Sequence, residues 1–118
     1  LEPFPSEIHR ELTSLEEALA IARRDHKPIF VHFYANWCGW CIKMEPGIRA
    51  AESEFAHGVV FVKVNVDDPR YSEFVSRYKS TPSLPENVFL RQDGSVITTV
   101  KGYMSRDQLA GKLKKISG

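Results

Sequence analysis

One stretch constrains this chain more than all the rest: FVHFYANWCGWCIKMEP, from Phe30 to Pro46. It holds both cysteines of the chain, Cys38 and Cys41, with two residues between them. In front of the pair runs IFVHFY, Ile29 to Tyr34, β-branched and aromatic with almost no polar alternation. Such a run fits a strand covered on both faces, as in a parallel or mixed sheet flanked by helices. Behind the pair the pattern turns helical. Three chemistries use that cysteine spacing: half of a zinc site, a small structural disulfide, or a redox-active dithiol.

Zinc needs two further ligands. There is no second Cys-x-x-Cys, and His9, His26, His32 and His57 show no paired His-x₃₋₅-His spacing. A purely structural disulfide stays open. The dithiol is favoured because Cys38 falls where a buried strand ends and a helix begins. Unpaired N–H groups and the positive end of the helix dipole favour a thiolate there. Cys41, one turn on, is close enough to attack a mixed disulfide on the Cys38 sulfur.

The rest of the chain supplies a frame for that junction. Residues 1–12 carry two prolines and no periodicity, and read as an extended arm or linker; residues 13–118 read as the domain. In TSLEEALAIARRDHK, Thr13 or Ser14 can cap a helix with Glu16 or Glu17 three residues on, and Leu15, Ala18, Leu19 and Ala22 fall at helical spacing. Pro28 is expected to stop it. A helix over 38–56 should bend at Pro46, which removes a backbone donor, and end near Gly58. VVFVKVNVD is a second buried strand, RYSEFVSRYK a short helix, and ENVFLRQDGSVITTVKG a hairpin turning at Asp93-Gly94. Ser105 or Asp107 opens the last helix, which ends in lysines suited to a C-terminus. The expected class is therefore α/β: one central mixed sheet with helices on both faces.

Composition narrows the partners. The 118 residues hold sixteen basic and fifteen acidic side chains, for a net charge of +1. That balance gives no electrostatic case for nucleic acid or an anionic membrane. No apolar run approaches the roughly 18 residues that span a bilayer. The chain starts at Leu1, and its first residues lack the layout of a signal peptide. This favours an exported protein or an excised domain over a trimmed cytoplasmic one.

With these residues assembled, the chain resembles thioredoxin, and more closely the thioredoxin-like modules of bacterial cell envelopes. The resemblance rests on FYANWCGWCIKMEP, VKVNVDD, the proline-containing approach to a hairpin and QDG at its tip, and covers about residues 13–118. It implies the thioredoxin fold, no cofactor and no metal, with Cys38 as exposed nucleophile and Cys41 as buried resolving thiol. It also implies protein disulfides as substrates, an upstream protein thiol as reductant and a monomer.

Several positions depart from the family pattern. The usual Gly-Pro between the cysteines is Gly39-Trp40 here, and those two residues tune reduction potential. His32 stands where thioredoxin has a buried aspartate. It is read either as a satisfied core residue or as the group that moves a proton to or from Cys41. Lys63 matches the lysine beside that aspartate, and a His32–Lys63 pair would keep the imidazole neutral. Glu45, one turn after Cys41, resembles an acidic residue near the resolving thiol in the C-terminal domain of the electron conduit DsbD. Its alternative is a solvated surface glutamate.

The family places a cis-proline opposite the dithiol, where the preceding backbone pairs with substrate. The count from Cys38 suits Pro82; the count back from Gly94 suits Pro85, which is preferred, with Leu84 as the pairing residue. Phe33, Tyr34 and Trp37 are expected in the packing around the site, with Trp37 also forming a flat apolar rim; Trp40 is expected partly exposed beside the dithiol and Tyr103 in core packing. The resulting expectation is a thiol–disulfide oxidoreductase working in the reducing direction in the periplasm or another exported compartment. An oxidase or isomerase, and a redox-inactive binding or chaperone-like module, are the alternatives.

Overall fold

The computed structural model describes residues 11–117. Eight regular elements follow in order: α1 (Leu15–Asp25), β1 (Ile29–Tyr34), α2 (Gly39–Phe55), β2 (Val60–Asn65), α3 (Ser72–Tyr78), β3 (Glu86–Leu90), β4 (Val96–Lys101) and α4 (Arg106–Ser117). A short 3₁₀ turn, Pro69–Tyr71, leads into α3.

Local chemistry sets the boundaries. Ser14 caps α1, its hydroxyl accepting the Glu17 N–H at 3.1 Å, a contact of about 1 kcal/mol in such positions. The helix ends at His26, whose φ of 56° is left-handed, so termination falls two residues before the expected stop at Pro28. At α4, Ser105 and Gln108 form a reciprocal box: the Ser105 hydroxyl accepts the Gln108 N–H at 3.2 Å, and the Gln108 side chain accepts the Ser105 N–H at 2.9 Å. Pro46 lies within α2, which runs through it as one element.

The strands form one mixed sheet in the order β2-β1-β3-β4. β1 pairs β2 in parallel and β3 antiparallel, and β3 pairs β4 antiparallel. The hairpin turns at Gly94, with φ 89°, a conformation open to glycine at no steric cost. β1 is central, which explains its unbroken apolar sequence. Ile29, Val31 and Phe33 pack on one face with Leu15, Ala18 and Ala22 of α1 and Phe74 and Tyr78 of α3. Phe30 packs on the other with Met44 and Ile48 of α2 and Leu109 and Leu113 of α4. Both faces are covered, as that run demands. Leu12, the last residue of the expected arm, is also buried in the core, and Glu11 accepts the Tyr71 hydroxyl at 2.8 Å. The remainder of that arm, residues 1–10, lies outside the described residues.

Candidate active site

The dithiol sits where β1 hands over to α2. Cys38 is the N-cap of α2, extended at φ −91°, and its sulfur accepts the Cys41 N–H at 3.2 Å. That donor is one of the orphan amides of a helix start, so the contact stabilises negative charge on the Cys38 sulfur when the pair is reduced. The two sulfurs are joined as a disulfide with Cα atoms 5.2 Å apart. Ala35, Tyr34 and Leu84 pack around them. Cys38 was expected to be exposed. It is 8% accessible and Cys41 3%, because the disulfide and its apolar neighbours cover both residues.

Opposite the pair lies the loop between α3 and β3. Its Leu84–Pro85 peptide bond is cis, whereas Pro82 stands exposed in the same loop. Trp37 and Trp40 flank the disulfide at 70% and 57% exposure. Trp37, expected partly as packing, belongs to the rim and donates its indole N–H to Asp67 at 2.8 Å. Trp40 leans on Tyr103 with ring centroids 5.6 Å apart, and the Lys43 ammonium lies 5.0 Å over its ring. Tyr103 is 40% exposed, so it joins this rim too. Gly39 is exposed, and a side chain there would meet nothing within 4 Å.

On the α2 and α4 face of the sheet, two residues before Tyr34 on β1, lies His32, 1% accessible. It stacks on Tyr34 at 5.8 Å, and its Nδ1 is 2.8 Å from the Asn87 side-chain oxygen. Burial lowers the imidazole pKa to about 4, opposed by the Asn87 hydrogen bond and the charge of Glu45, with Lys63 adding a smaller lowering. Lys63 is the cross-strand neighbour of His32, but its ammonium bonds Glu52 at 3.2 Å. The expected His32–Lys63 pair therefore acts weakly, since α2 supplies Lys63 with a carboxylate of its own. Desolvation, not Lys63, keeps His32 neutral.

Glu45 is half-buried, 3.7 Å from Arg49. With Tyr34, Cys41, Arg49, Glu52 and Lys63 it lines a cleft of about 680 Å³. This cleft brings solvent and titratable groups to Cys41. Among the described residues no group of three or more His, Cys, Asp or Glu could hold a metal, and no helix is long and apolar enough to cross a membrane.

Two residues escaped the sequence reading. Glu86 is fully buried and follows Pro85 directly. It pairs with Lys79 at 2.8 Å and accepts hydrogen bonds from the backbone and hydroxyls of Ser80 and Thr81. Burial alone would raise its pKa; those donors outweigh it and hold the carboxyl at about 2. Lys79 also donates to the backbone oxygens of Thr81 and Ser83. The cluster thus ties both ends of the loop that carries Leu84 and Pro85. The other residue is Asn87. A charge and an amide at the start of a buried strand were the available signals.

The family of thioredoxin-like domains matches residues 15–117. The chain is also 34% identical to the disulfide bond reductase DsbH of Chlamydia pneumoniae, over 86% of this chain and 72% of that protein. The chain belongs to the thioredoxin-like family. Drosophila melanogaster thioredoxin-1 is 38% identical over 62% of this chain, an alignment spanning 65% of that protein, just under two thirds. The X-ray structure of Fasciola hepatica thioredoxin superposes with a TM-score of 0.73 at 27% identity, covering 91% of this chain and 98% of that one. A Cys-x-x-Cys pair at disulfide distance in this fold makes the chain a thiol–disulfide oxidoreductase.

Proposed function

We propose that this thioredoxin-like chain reduces protein disulfides in the cell envelope, using electrons from an upstream protein thiol. The observation that carries the reading is the Cys41 N–H directed at the Cys38 sulfur from a helix start. The likeness to a disulfide bond reductase and Glu45 beside Cys41 support the direction and the compartment.

In this mechanism the Cys38 thiolate attacks one sulfur of a substrate disulfide. A Cys38–substrate bond forms, the substrate S–S bond breaks, and the first substrate thiolate leaves with the electron pair. His32, neutral at physiological pH, takes the Cys41 proton, and Glu45 exchanges that proton with solvent through the cleft. Lys63, held by Glu52, opposes protonation of His32 from a distance. The Cys41 thiolate then attacks the Cys38 sulfur, closing the Cys38–Cys41 bond and releasing the second substrate thiol. Trp37, Gly39 and Trp40 form the docking rim. Leu84, before Pro85, pairs with substrate backbone as an added strand. The chain acts as a monomer in this scheme.

The test is the equilibrium reduction potential of the Cys38–Cys41 pair, titrated against thiol buffers by tryptophan fluorescence. A value at or below about −230 mV supports a reductant; one of roughly −120 to −180 mV would assign oxidase or isomerase chemistry instead.

A further inference from the structure

The hydrogen bonds around Asn87 decide the state of His32. Asn87 faces His32 across the β1–β3 pair. Its side-chain nitrogen donates to the Val100 carbonyl at 3.1 Å and to the Gly102 carbonyl at 3.0 Å. Both amide hydrogens are thereby used, so the group turned to the imidazole is the amide oxygen. An oxygen only accepts, and His32 Nδ1, 2.8 Å away, must carry the hydrogen.

That assignment fixes the second nitrogen. Nε2 is the one buried side-chain polar atom without a partner among the described residues. As an N–H it would be a buried donor with no acceptor, whereas as a bare lone pair it is free to receive a proton. Burial lowers the proton affinity of the ring, which keeps Nε2 bare between turnovers. We propose that Asn87 is a positioning residue for the redox reaction, locking His32 in the Nδ1–H tautomer so that Nε2 is the acceptor for the Cys41 proton. This rests on the reading of His32 as the base.

The step balances without a further reagent. The Cys41 thiol proton passes to Nε2, and the Cys41 thiolate attacks the Cys38 sulfur of the mixed disulfide. The Cys38–Cys41 bond forms, the Cys38–substrate bond breaks, and its electron pair leaves on the substrate sulfur. The proton on Nε2 returns to that sulfur through solvent in the cleft. Throughout, Nδ1–H keeps the Asn87 oxygen. The titratable and charged groups around the ring are Tyr34 on β1, Glu45 and the Glu52 partner of Lys63 on α2, and Lys63 itself on β2. Asn87 on β3 is uncharged, so it selects the tautomer without adding charge.

Two measurements on the reduced chain test this. Nitrogen-15 NMR of the imidazole at neutral pH should show Nδ1 protonated and Nε2 bare. Mixing with Ellman's aryl disulfide should release one aryl thiolate in a bimolecular phase, as Cys38 reacts, and a second in a unimolecular phase, as Cys41 attacks. Asn87→Leu should slow the second phase about tenfold, the worth of one buried hydrogen bond, while the first moves by less than about twofold. Asn87→Asp keeps an oxygen at the imidazole but loses both donors to Val100 and Gly102. In the folded variant Nδ1–H should be preserved and the second-phase pH profile shifted upward, because the carboxylate favours imidazolium. Protonated Nε2 in the unmodified chain, or an unchanged second phase in Asn87→Leu, overturns the proposal. His32→Leu separates the two readings. If it leaves the second phase intact, the base reading fails and the role of Asn87 falls with it. If it slows that phase while Asn87→Leu does not, the role of Asn87 alone is overturned. Should Asn87→Leu fail to fold, the NMR of the unmodified chain still decides.

Discussion

Lys79 and Glu86 meet at 2.8 Å across the loop that faces the dithiol, with the carboxylate fully buried and the ammonium nearly so. The pair holds together the two ends of a segment with no regular structure of its own. Leu84, in that segment, packs against the cluster of Ala35, Cys38 and Cys41, so the geometry facing the disulfide depends on this charge pair.

Removing the carboxylate should leave Lys79 buried without its partner. Glu86→Gln is expected to lower stability by about 3–5 kcal/mol, the usual cost of breaking such a pair. Urea titration should show a lower midpoint with the slope little changed. A loss under about 1 kcal/mol would mean that the amide rebuilds the network.

Acid stability should show two separate windows. His32 has a folded pKa of about 4, against about 6.5 unfolded. As pH falls through this interval the unfolded chain binds the proton first, so stability declines from about pH 6.5 to about pH 4. Glu86 has a folded pKa of about 2, against about 4.3 unfolded. Its contribution, on the order of 2–3 kcal/mol, is whole above the unfolded value and is lost as pH falls toward 2. Urea midpoints against pH should lose the upper slope in His32→Leu and the lower one in Glu86→Gln. The reverse assignment would sink both.

The two cysteines should separate cleanly. Cys38→Ser should reduce protein disulfides no faster than background. Cys41→Ser should stop after the first step and accumulate a mixed disulfide, visible by mass spectrometry as chain plus substrate. Accumulation in Cys38→Ser instead would exchange the two roles.

Gly39 offers a test of docking independent of folding. A methyl group there meets nothing in the chain. At the first position of α2, Gly39→Ala should therefore leave stability within about 0.5 kcal/mol of the parent chain. If substrate packs on this surface, KM for a protein disulfide should rise several-fold with little change in reaction toward a small aryl disulfide. An unchanged KM would remove Gly39 from the docking rim.

Trp40→Ala removes an exposed aromatic that leans on Tyr103 and carries Lys43 over its ring. KM is expected to rise at least about fivefold, the loss of more than 1 kcal/mol that marks an interface anchor. Thermal stability should change little, since the ring is largely in solvent. A large fall in melting temperature with unchanged KM would make Trp40 a packing residue.

Much of this protein is local, and local features are written plainly in the chain. An uninterrupted apolar run is a central strand because both its faces must be covered. Ser14, the Asp93-Gly94 turn and the strand-to-helix step at Cys38 each follow from backbone hydrogen bonding within a few residues. The cysteine spacing places both sulfurs on one turn of one helix. Tertiary structure decided what depends on neighbours distant in sequence. It gave Lys63 a carboxylate on α2, set Glu86 among the hydroxyls of a loop, and put Asn87 against His32 with both amide hydrogens already spent. The protonation state of a buried imidazole is fixed by which groups surround it and by how much water they exclude. Those are properties of packing, and no single stretch of the chain contains them.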